Sequence, residues 1–199
     1  MTNDRPAWGG SDRAGAAAKL MLAWVALLWA LEAVDAVTGH ALDPYGITPR
    51  QSSELADVVP AAFLHFGFAH VAANSIPLLV MGFLAALGGI RRFLAVALLI
   101  IVADGLAVWL VSPADTNTAG ASGLVFGLFG YLLGRGVVER KPRDIAVAVL
   151  VGAVWGGAVL AGISPTDTQV SWQAHLFGLL AGVAAAFALR DRGRAPARG

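Results

Sequence analysis

Cysteine is absent from this 199-residue sequence, and charged residues make up only 14% of it. Without cysteine the chain has no disulfide, no redox thiol and no thiolate metal site. A soluble globular domain carries about 25% charged residues, so the low charged fraction excludes a soluble enzyme and a disordered chain. The 14 basic and 13 acidic residues nearly cancel, which gives no reason to expect nucleic acid as a partner.

Apolar residues dominate the rest of the composition. Hydrophobic residues form 57% of the chain, and glycine contributes 24 residues. A bilayer core about 30 Å thick requires about 20 largely apolar residues per spanning helix, and six stretches qualify. These predicted spans 1 to 6 are Ala16–Ala36, Phe66–Leu87, Phe93–Val111, Ala119–Val138, Ile145–Gly162 and Ser171–Leu189. The sequence therefore predicts an all-α, polytopic membrane protein with a bundle of six transmembrane helices.

The segments around the spans predict the domain organisation. Residues 1–15 and 190–199 are expected to form short tails on either side of one membrane domain over residues 16–189. Span 1 is too long for a signal peptide, and its Glu32 and Asp35 fit no cleavage site. The longest loop, Thr38–Leu64, contains three prolines and is predicted to be irregular.

Basic residues are distributed very unequally between the two ends of the spans. Thirteen of the 14 fall on one side, namely Arg5, Arg13, Lys19, Arg91, Arg92, Arg135, Arg140, Lys141, Arg143, Arg190, Arg192, Arg194 and Arg198. Arg50 alone falls on the other side. Because short cytoplasmic loops carry an excess of Lys and Arg, both termini are predicted to be cytoplasmic.

Four polar side chains lie inside the apolar spans at a similar depth. His70 and Asn74 are one helical turn apart in span 2, Ser122 lies near the start of span 4, and His175 lies about one turn from the outer end of span 6. With a rise of 1.5 Å per residue, all four fall within about 5–15 Å of the outer surface. A hydroxyl, two imidazoles and an amide at one level are the groups that acyl transfer needs as nucleophile, base and oxyanion donors.

Each of these residues also has a structural interpretation. A serine in a membrane helix often bonds back to a carbonyl, and an asparagine often joins helices. The glycines of spans 4 and 6 are typical of close helix packing: Gly123, Gly127, Gly130, Gly134, Gly178 and Gly182. Such packing would itself bring His175 close to Ser122. The four histidines lack a metal-ligand spacing such as HExxH, so no metal site is predicted.

Three motifs together resemble those of the rhomboid intramembrane serine proteases. They are His65-Phe-Gly-Phe-Ala-His70-Val-Ala-Ala-Asn74 in span 2, Gly120-Ala-Ser122-Gly123 with Gly130-Tyr131 in span 4, and Ala174-His175-Leu-Phe-Gly178-Leu-Leu-Ala-Gly182 in span 6. The resemblance covers essentially the whole six-helix chain. A GxSG motif alone also suits soluble hydrolases, but these place a strand before the serine, whereas an outer loop precedes it here.

The resemblance implies a serine endopeptidase with a Ser–His dyad and no cofactor. Ser122 would attack a peptide carbonyl, and His175 would act as general base and then as general acid. The oxyanion would be bound by the Ser122 backbone N–H and by the side chains of Asn74 and His70. Supporting roles are implied for His65, Gly120, Gly123, Phe126, Gly178 and Gly182. The expected partners are the lipid bilayer of a bacterial cell membrane and a single-pass transmembrane substrate, which is cut near its outer end.

The sequence departs from the family pattern in two places. The family's common Trp-Arg pair in the outer loop is missing, and the residues before His65 read Leu55-Ala-Asp57-Val-Val-Pro60. Phe126 follows Ser122 by four residues, where a tyrosine often supports the histidine. Its ring can pack on His175 but offers no hydroxyl.

Two other functions remain open from the sequence. An inactive rhomboid-like protein would bind membrane helices without cutting them, but such proteins usually lose the serine or the histidine, and both are present. A small transporter or channel would use buried polar residues such as Asp104 as a pathway, but the chain has no inverted repeat. For a protease, the predicted substrate gate is span 5 with the outer loop Ser164–Val170.

The charge asymmetry leads to a prediction on topology. We expect a reporter fused after Gly199 to be cytoplasmic and one inserted near Pro113 to be extracytoplasmic, because nearly all Lys and Arg lie on one side. Paired phosphatase and fluorescent-protein fusions at both sites measure this. The opposite location at either site would contradict six spans and would move Ser122 to the wrong face.

Overall fold

The structure is a computed structural model that describes residues 10–165 and 171–190. Its six α-helices are α1 (Gly10–Val37), α2 (Phe68–Ala86), α3 (Ile90–Val111), α4 (Ser122–Glu139), α5 (Pro142–Gly162) and α6 (Trp172–Ala188). The described residues contain no β-strand, only one bridge between Ile47 and Thr118. The predicted all-α fold is therefore confirmed. Residues 1–9 and 191–199 of the predicted tails, and 166–170 of the predicted gate loop, lie outside the described residues.

Four helices, α1, α3, α4 and α5, begin three or more residues away from the start of the predicted span. α1 begins at Gly10, six residues before the apolar run, because backbone hydrogen bonds continue through polar residues that a hydropathy pattern leaves out. α4 begins at Ser122 rather than Ala119. The backbone at Gly120 has φ of +136°, a conformation that no helix contains and that glycine adopts most readily.

Helix α4 is the centre of the bundle. It packs against α2, α3, α5 and α6, and 12 of its 18 residues are buried. A helix enclosed by other helices needs no lipid-facing apolar stripe, which accounts for its many glycines. Among the described residues, α1, α2, α3 and α5 each contain a segment that is long and apolar enough to cross a membrane by length and composition, and α6 is a shorter apolar helix.

The contact between α4 and α6 is made by backbone against backbone. A Cβ atom at Gly178 would collide with the backbone of Gly123, and one at Gly182 would collide with the carbonyl oxygen of Gly127. A Cβ at Gly130 would likewise meet the carbonyl oxygen of Leu179. In a bilayer, association of helices depends on such close van der Waals packing. The glycines thus hold the first half of α4 against the middle of α6.

The chain between α1 and α2 contains three short 3₁₀-helices, Asp43–Tyr45, Ser52–Val58 and Pro60–Phe63. We call residues 38–67 the outer segment, because the sequence predicts that they lie on the outer face. This outer segment hydrogen-bonds to the residues that precede α4. Ile47 and Thr118 exchange two backbone hydrogen bonds of 2.8 and 3.1 Å, and the Gly120 N–H donates to the Ala61 carbonyl at 2.9 Å. The start of α4 is therefore fixed by a segment far away in the sequence.

Ion pairs tie the helix ends together at the face that the basic residues predict to be cytoplasmic. Nη2 of Arg92, at the start of α3, lies 3.0 Å from Oε1 of Glu139, at the end of α4. Arg135 and Asp144 are both buried, and Nη2 of Arg135 lies 3.2 Å from Oδ1 of Asp144. This ion pair joins α4 to α5. Removing one residue of a buried ion pair strongly destabilises a protein, because the other charge is left buried without its partner.

The glycine contact leads to a prediction on stability. We expect Gly182→Ala to lower the free energy of unfolding by about 1–3 kcal/mol, because the added methyl has no room in a packed contact. Gly157→Ala is the matched control, since a Cβ there meets nothing within 4 Å. Thermal unfolding of both variants in detergent micelles measures the difference. Equal unfolding temperatures would contradict the close approach of α4 and α6.

Candidate active site

Ser122 is the first residue of α4. The N–H groups at a helix N-terminus have no partner inside the helix and favour negative charge. One of them is already used, because the Ala121 N–H donates to Nε2 of His65 at 3.3 Å. The Ser122 hydroxyl therefore lies beside N–H groups. The loop before it is held by hydrogen bonds to Ile47, Ala61 and His65.

His175 lies in the first turn of α6 and is buried. Its Nδ1 atom lies 2.8 Å from the carbonyl oxygen of Gly162, at the end of α5. A carbonyl only accepts, so Nδ1 carries the hydrogen and Nε2 is left with its lone pair. This is the tautomer that a general base needs.

The Phe126 ring lies flat against the His175 imidazole. The two ring centroids are 3.9 Å apart with planes 9° from parallel. A Cβ at Gly162 would approach both the Phe126 ring and Nδ1 of His175. Gly162 was not singled out from the sequence, and its only sequence signal is a glycine at the end of span 5.

His70 and Asn74 are one turn apart on α2, as the sequence indicates. Nδ1 of His70 accepts the Phe66 N–H at 3.4 Å, so Nε2 carries the hydrogen. The Asn74 amide donates one hydrogen to the His70 carbonyl at 3.2 Å, and its second amide hydrogen is available to a ligand.

Gly120 keeps the space between His70 and Ser122 open. A Cβ there would lie 2.9 Å from Nε2 of His70 and 3.8 Å from Oγ of Ser122. Any larger side chain would therefore fill the gap in which a reacting carbonyl oxygen could sit.

His65 lies outside α2, in the chain that leads into it. The ring is buried, and besides the Ala121 N–H it contacts the His70 ring edge-on at a centroid distance of 4.9 Å. It therefore joins the chain before α2 to the chain before α4. Gly123, Gly178 and Gly182 lie in the α4–α6 contact behind the site.

Ser122, His175, His70 and Asn74 all line one cavity of about 530 Å³, together with Phe126 and Gly120. No hydrogen bond joins Ser122 to His175 in the described part of the chain. Catalytic hydrogen bonds are often long without substrate and tighten in the complex. The cavity thus combines a hydroxyl at a helix N-terminus, an imidazole with a free lone pair and two side-chain donors.

Several known proteins are similar to this sequence over most of its length. The chain matches the Rhomboid domain over residues 52–192. An uncharacterised protein of Mycobacterium tuberculosis is 41% identical over 95% of this chain and 79% of its own length. The putative rhomboid protease YdcA of Bacillus subtilis is 29% identical, with 77% of this chain and 73% of YdcA aligned. Rhomboid protease GluP of the same organism is 32% identical over 63% of this chain and 24% of GluP.

The family match covers more than half of the chain, and its span includes α2 to α6 with every residue of the cavity wall named above. The length and the apolar composition of the helices are typical of a protein embedded in a bilayer. The chain is therefore an integral membrane protein of the rhomboid family of intramembrane proteases.

Proposed function

We propose that this protein is an intramembrane serine endopeptidase that cuts single-pass transmembrane substrates near their outer end. The observation that carries the proposal is the state of His175. Its Nδ1–H is held by the Gly162 carbonyl, and its free Nε2 belongs to a ring that lines the same cavity as the Ser122 hydroxyl. Serine proteolysis needs this tautomer next to this nucleophile.

Ser122 attacks the scissile carbonyl, and Nε2 of His175 takes the hydroxyl proton. The imidazolium that forms has no aspartate beside it. Its Nδ1–H keeps the hydrogen bond to Gly162, and the face of Phe126 lies against it. An aromatic face attracts a cation through its quadrupole, more strongly when water is excluded. Phe126 can therefore support the histidine without a hydroxyl.

The oxyanion of the tetrahedral intermediate is bound by three donors in this scheme. The Ser122 N–H lies at the N-terminus of α4, where the helix dipole adds to the stabilisation. Nε2–H of His70 points to the gap beside Gly120, and Asn74 offers its second amide hydrogen. The protonated His175 then gives its proton to the leaving amine, and a water molecule hydrolyses the acyl-enzyme by the reverse sequence.

The substrate enters from the bilayer in this proposal. α5 packs mainly on α4 and has little contact with α6, and much of its surface is apolar and exposed, including Val149, Val154 and Leu160. A helix with so few partners is suited to move aside, so α5 and the following loop are proposed as the gate. The protein is proposed to lie in a bacterial cell membrane with both termini in the cytoplasm.

The main alternative is an inactive member of the family that binds membrane helices. Such proteins usually lose the serine or the histidine, whereas Ser122 and His175 are both present here and line the cavity. A transporter would need a polar path across the bundle, whereas the polar residues of the site lie at one end. Reactivity of Ser122 separates these alternatives from a protease.

The dyad leads to a prediction on activity. We expect a fluorophosphonate probe to label the purified protein at Ser122, and Ser122→Ala and His175→Ala each to abolish cleavage of transmembrane substrates. The double variant should be no worse than either single one, because the two residues act as a unit. Ser112→Ala, which removes another buried hydroxyl, should keep labelling and cleavage. Substantial proteolysis by Ser122→Ala, or a wild type that the probe leaves unlabelled, would contradict the proposal.

The oxyanion donors lead to a separate prediction. We expect Asn74→Ala to lower turnover by about 10²–10³-fold, since the lost hydrogen bond acts only on the charge that develops in the transition state. The Michaelis constant should change little. Asn117→Ala is the matched control, because Asn117 also lines the cavity but donates to the Asp43 carbonyl in the outer segment.

A different result is expected if Asn74 only joins helices and does not bind the oxyanion. A residue that only joins helices contributes about 0.6 kcal/mol in a membrane protein, so Asn74→Ala would then lower the unfolding temperature slightly. Unchanged turnover per folded molecule would remove Asn74 from the site.

A further inference from the structure

The hydrogen bond that orients His175 comes from the helix proposed as the gate. Its acceptor is the carbonyl oxygen of Gly162, the last residue of α5, and Nδ1 of His175 on α6 lies 2.8 Å away. α5 has little other contact with α6. The acceptor therefore moves away from His175 whenever the outer end of α5 moves.

The two ends of α5 are held to α4 very differently. At the start of α5, the buried ion pair of Arg135 and Asp144 joins the two helices. A Cβ at Gly136 of α4 would lie only 3.1 Å from the carbonyl oxygen of Asp144. In the fully described stretch of residues 152–162, by contrast, Val159 is the one buried residue. Because breaking a buried ion pair is costly, a displacement of α5 is expected to move its outer end and to leave its start in place.

Two adjacent glycines, Gly156 and Gly157, lie in α5 shortly before its outer end. A Cβ atom at either position would meet nothing within 4 Å, so close packing does not require a glycine there. Glycine inside a helix keeps more backbone freedom than alanine and weakens the helix, and helices bend at such positions. The pair is therefore suited to act as a hinge for residues 158–162.

We propose that the outer end of α5 is a switch that couples entry of the substrate to the state of His175. The inference rests on the proposed protease function and specifies its regulation. In the closed state, the Gly162 carbonyl holds the Nδ1–H of His175, and Nε2 keeps its lone pair. When residues 158–162 swing outward about Gly156 and Gly157 to admit a substrate, the Nδ1–H loses this acceptor.

Loss of the acceptor inactivates the proposed base. Either nitrogen of a neutral imidazole can carry the hydrogen, so the released ring can exchange to the tautomer with its hydrogen on Nε2 through a water molecule. That tautomer has no lone pair on Nε2 to take the proton of Ser122. Cleavage therefore waits until α5 has closed again beside the bound substrate, and an open, empty site does not attack other molecules that reach it.

The first test pushes the outer half of α5 away from α4. Val159→Phe adds a ring to a packed contact, and Val154→Phe is the matched control, because it makes the same change on the exposed face of the same helix. Spin labels on two introduced cysteines, Leu160→Cys on α5 and Val111→Cys at the outer end of α3, measure the displacement. Both positions are exposed, and the chain has no cysteine of its own. We expect the distance to increase in Val159→Phe alone.

The state of His175 is then read in the same variants without reference to activity. Nitrogen NMR of the full-length protein in proteoliposomes shows which ring nitrogen carries the hydrogen, and the signal is assigned by its loss in His175→Ala. We expect the hydrogen on Nδ1 in the wild type and in Val154→Phe. Val159→Phe should show a mixture of the two tautomers, because its closed state is less populated.

Labelling of Ser122 by a small fluorophosphonate reports the same state chemically. In Val159→Phe the labelling rate per folded molecule should fall about fivefold or more, in proportion to the loss of closed molecules. A gate that controls access alone gives the opposite sign, since a wider opening leaves the rate unchanged or raises it.

The second test stiffens the hinge. The double variant Gly156→Ala with Gly157→Ala adds no clash and favours the straight helix, so cleavage of a transmembrane substrate should slow about tenfold. The tautomer of His175 and the labelling rate should stay as in the wild type, because the closed state is unchanged. Gly15→Ala in α1 is the matched control, since a Cβ there also meets nothing within 4 Å, and it should keep normal cleavage.

The outcomes distinguish the switch from the function on which it rests. A displaced α5 with the hydrogen of His175 still on Nδ1 would overturn the coupling and leave the protease in place. An unchanged spin-label distance in Val159→Phe, or normal cleavage by the double glycine variant, would overturn the swing about the hinge. Failure of the probe to label the folded wild type would overturn the protease function, whereas the NMR result would still show whether α5 controls His175.

Discussion

The direct contact between the backbones of α4 and α6 is the constraint on which the site depends. The proposed nucleophile, Ser122, and the proposed base, His175, come from these two helices, and neither has a long side chain to bridge a gap. The pairs Gly123–Gly178 and Gly127–Gly182 bring the helix axes as close as the chain allows. A single methyl group in this contact is expected to separate Ser122 from His175 as well as to weaken the packing, so the stability of the bundle and the proposed catalytic geometry have one physical origin.

The site also requires that the start of α4 be fixed, and hydrogen bonds from the outer segment fix it. Ile47 and Ala61 hydrogen-bond to the backbone before Ser122, and His65 receives the Ala121 N–H. These bonds satisfy polar backbone groups that would otherwise be orphaned near the bilayer. They also fix the start of α4, where Ser122 lines the cavity.

Electrostatics at the site relies on uncharged groups. A carbonyl orients His175, a phenyl face lies against its ring, and N–H dipoles would bind the oxyanion in the proposed mechanism. In a site of low dielectric such fixed dipoles act strongly and require no counter-ion.

The class of fold could be predicted from the amino-acid sequence, because hydropathy and charge depend only on the order of residues along the chain. The six helices, their succession and the level of Ser122, His175, His70 and Asn74 all follow from that order. The tertiary structure alone decided contacts that depend on how each helix is rotated about its axis. These include the carbonyl of Gly162 on His175, the stacking of Phe126, the position of His65 outside α2 and the turn of Asp104 toward the cavity. No local pattern encodes them, since the partners lie on different helices and meet only when the bundle is packed.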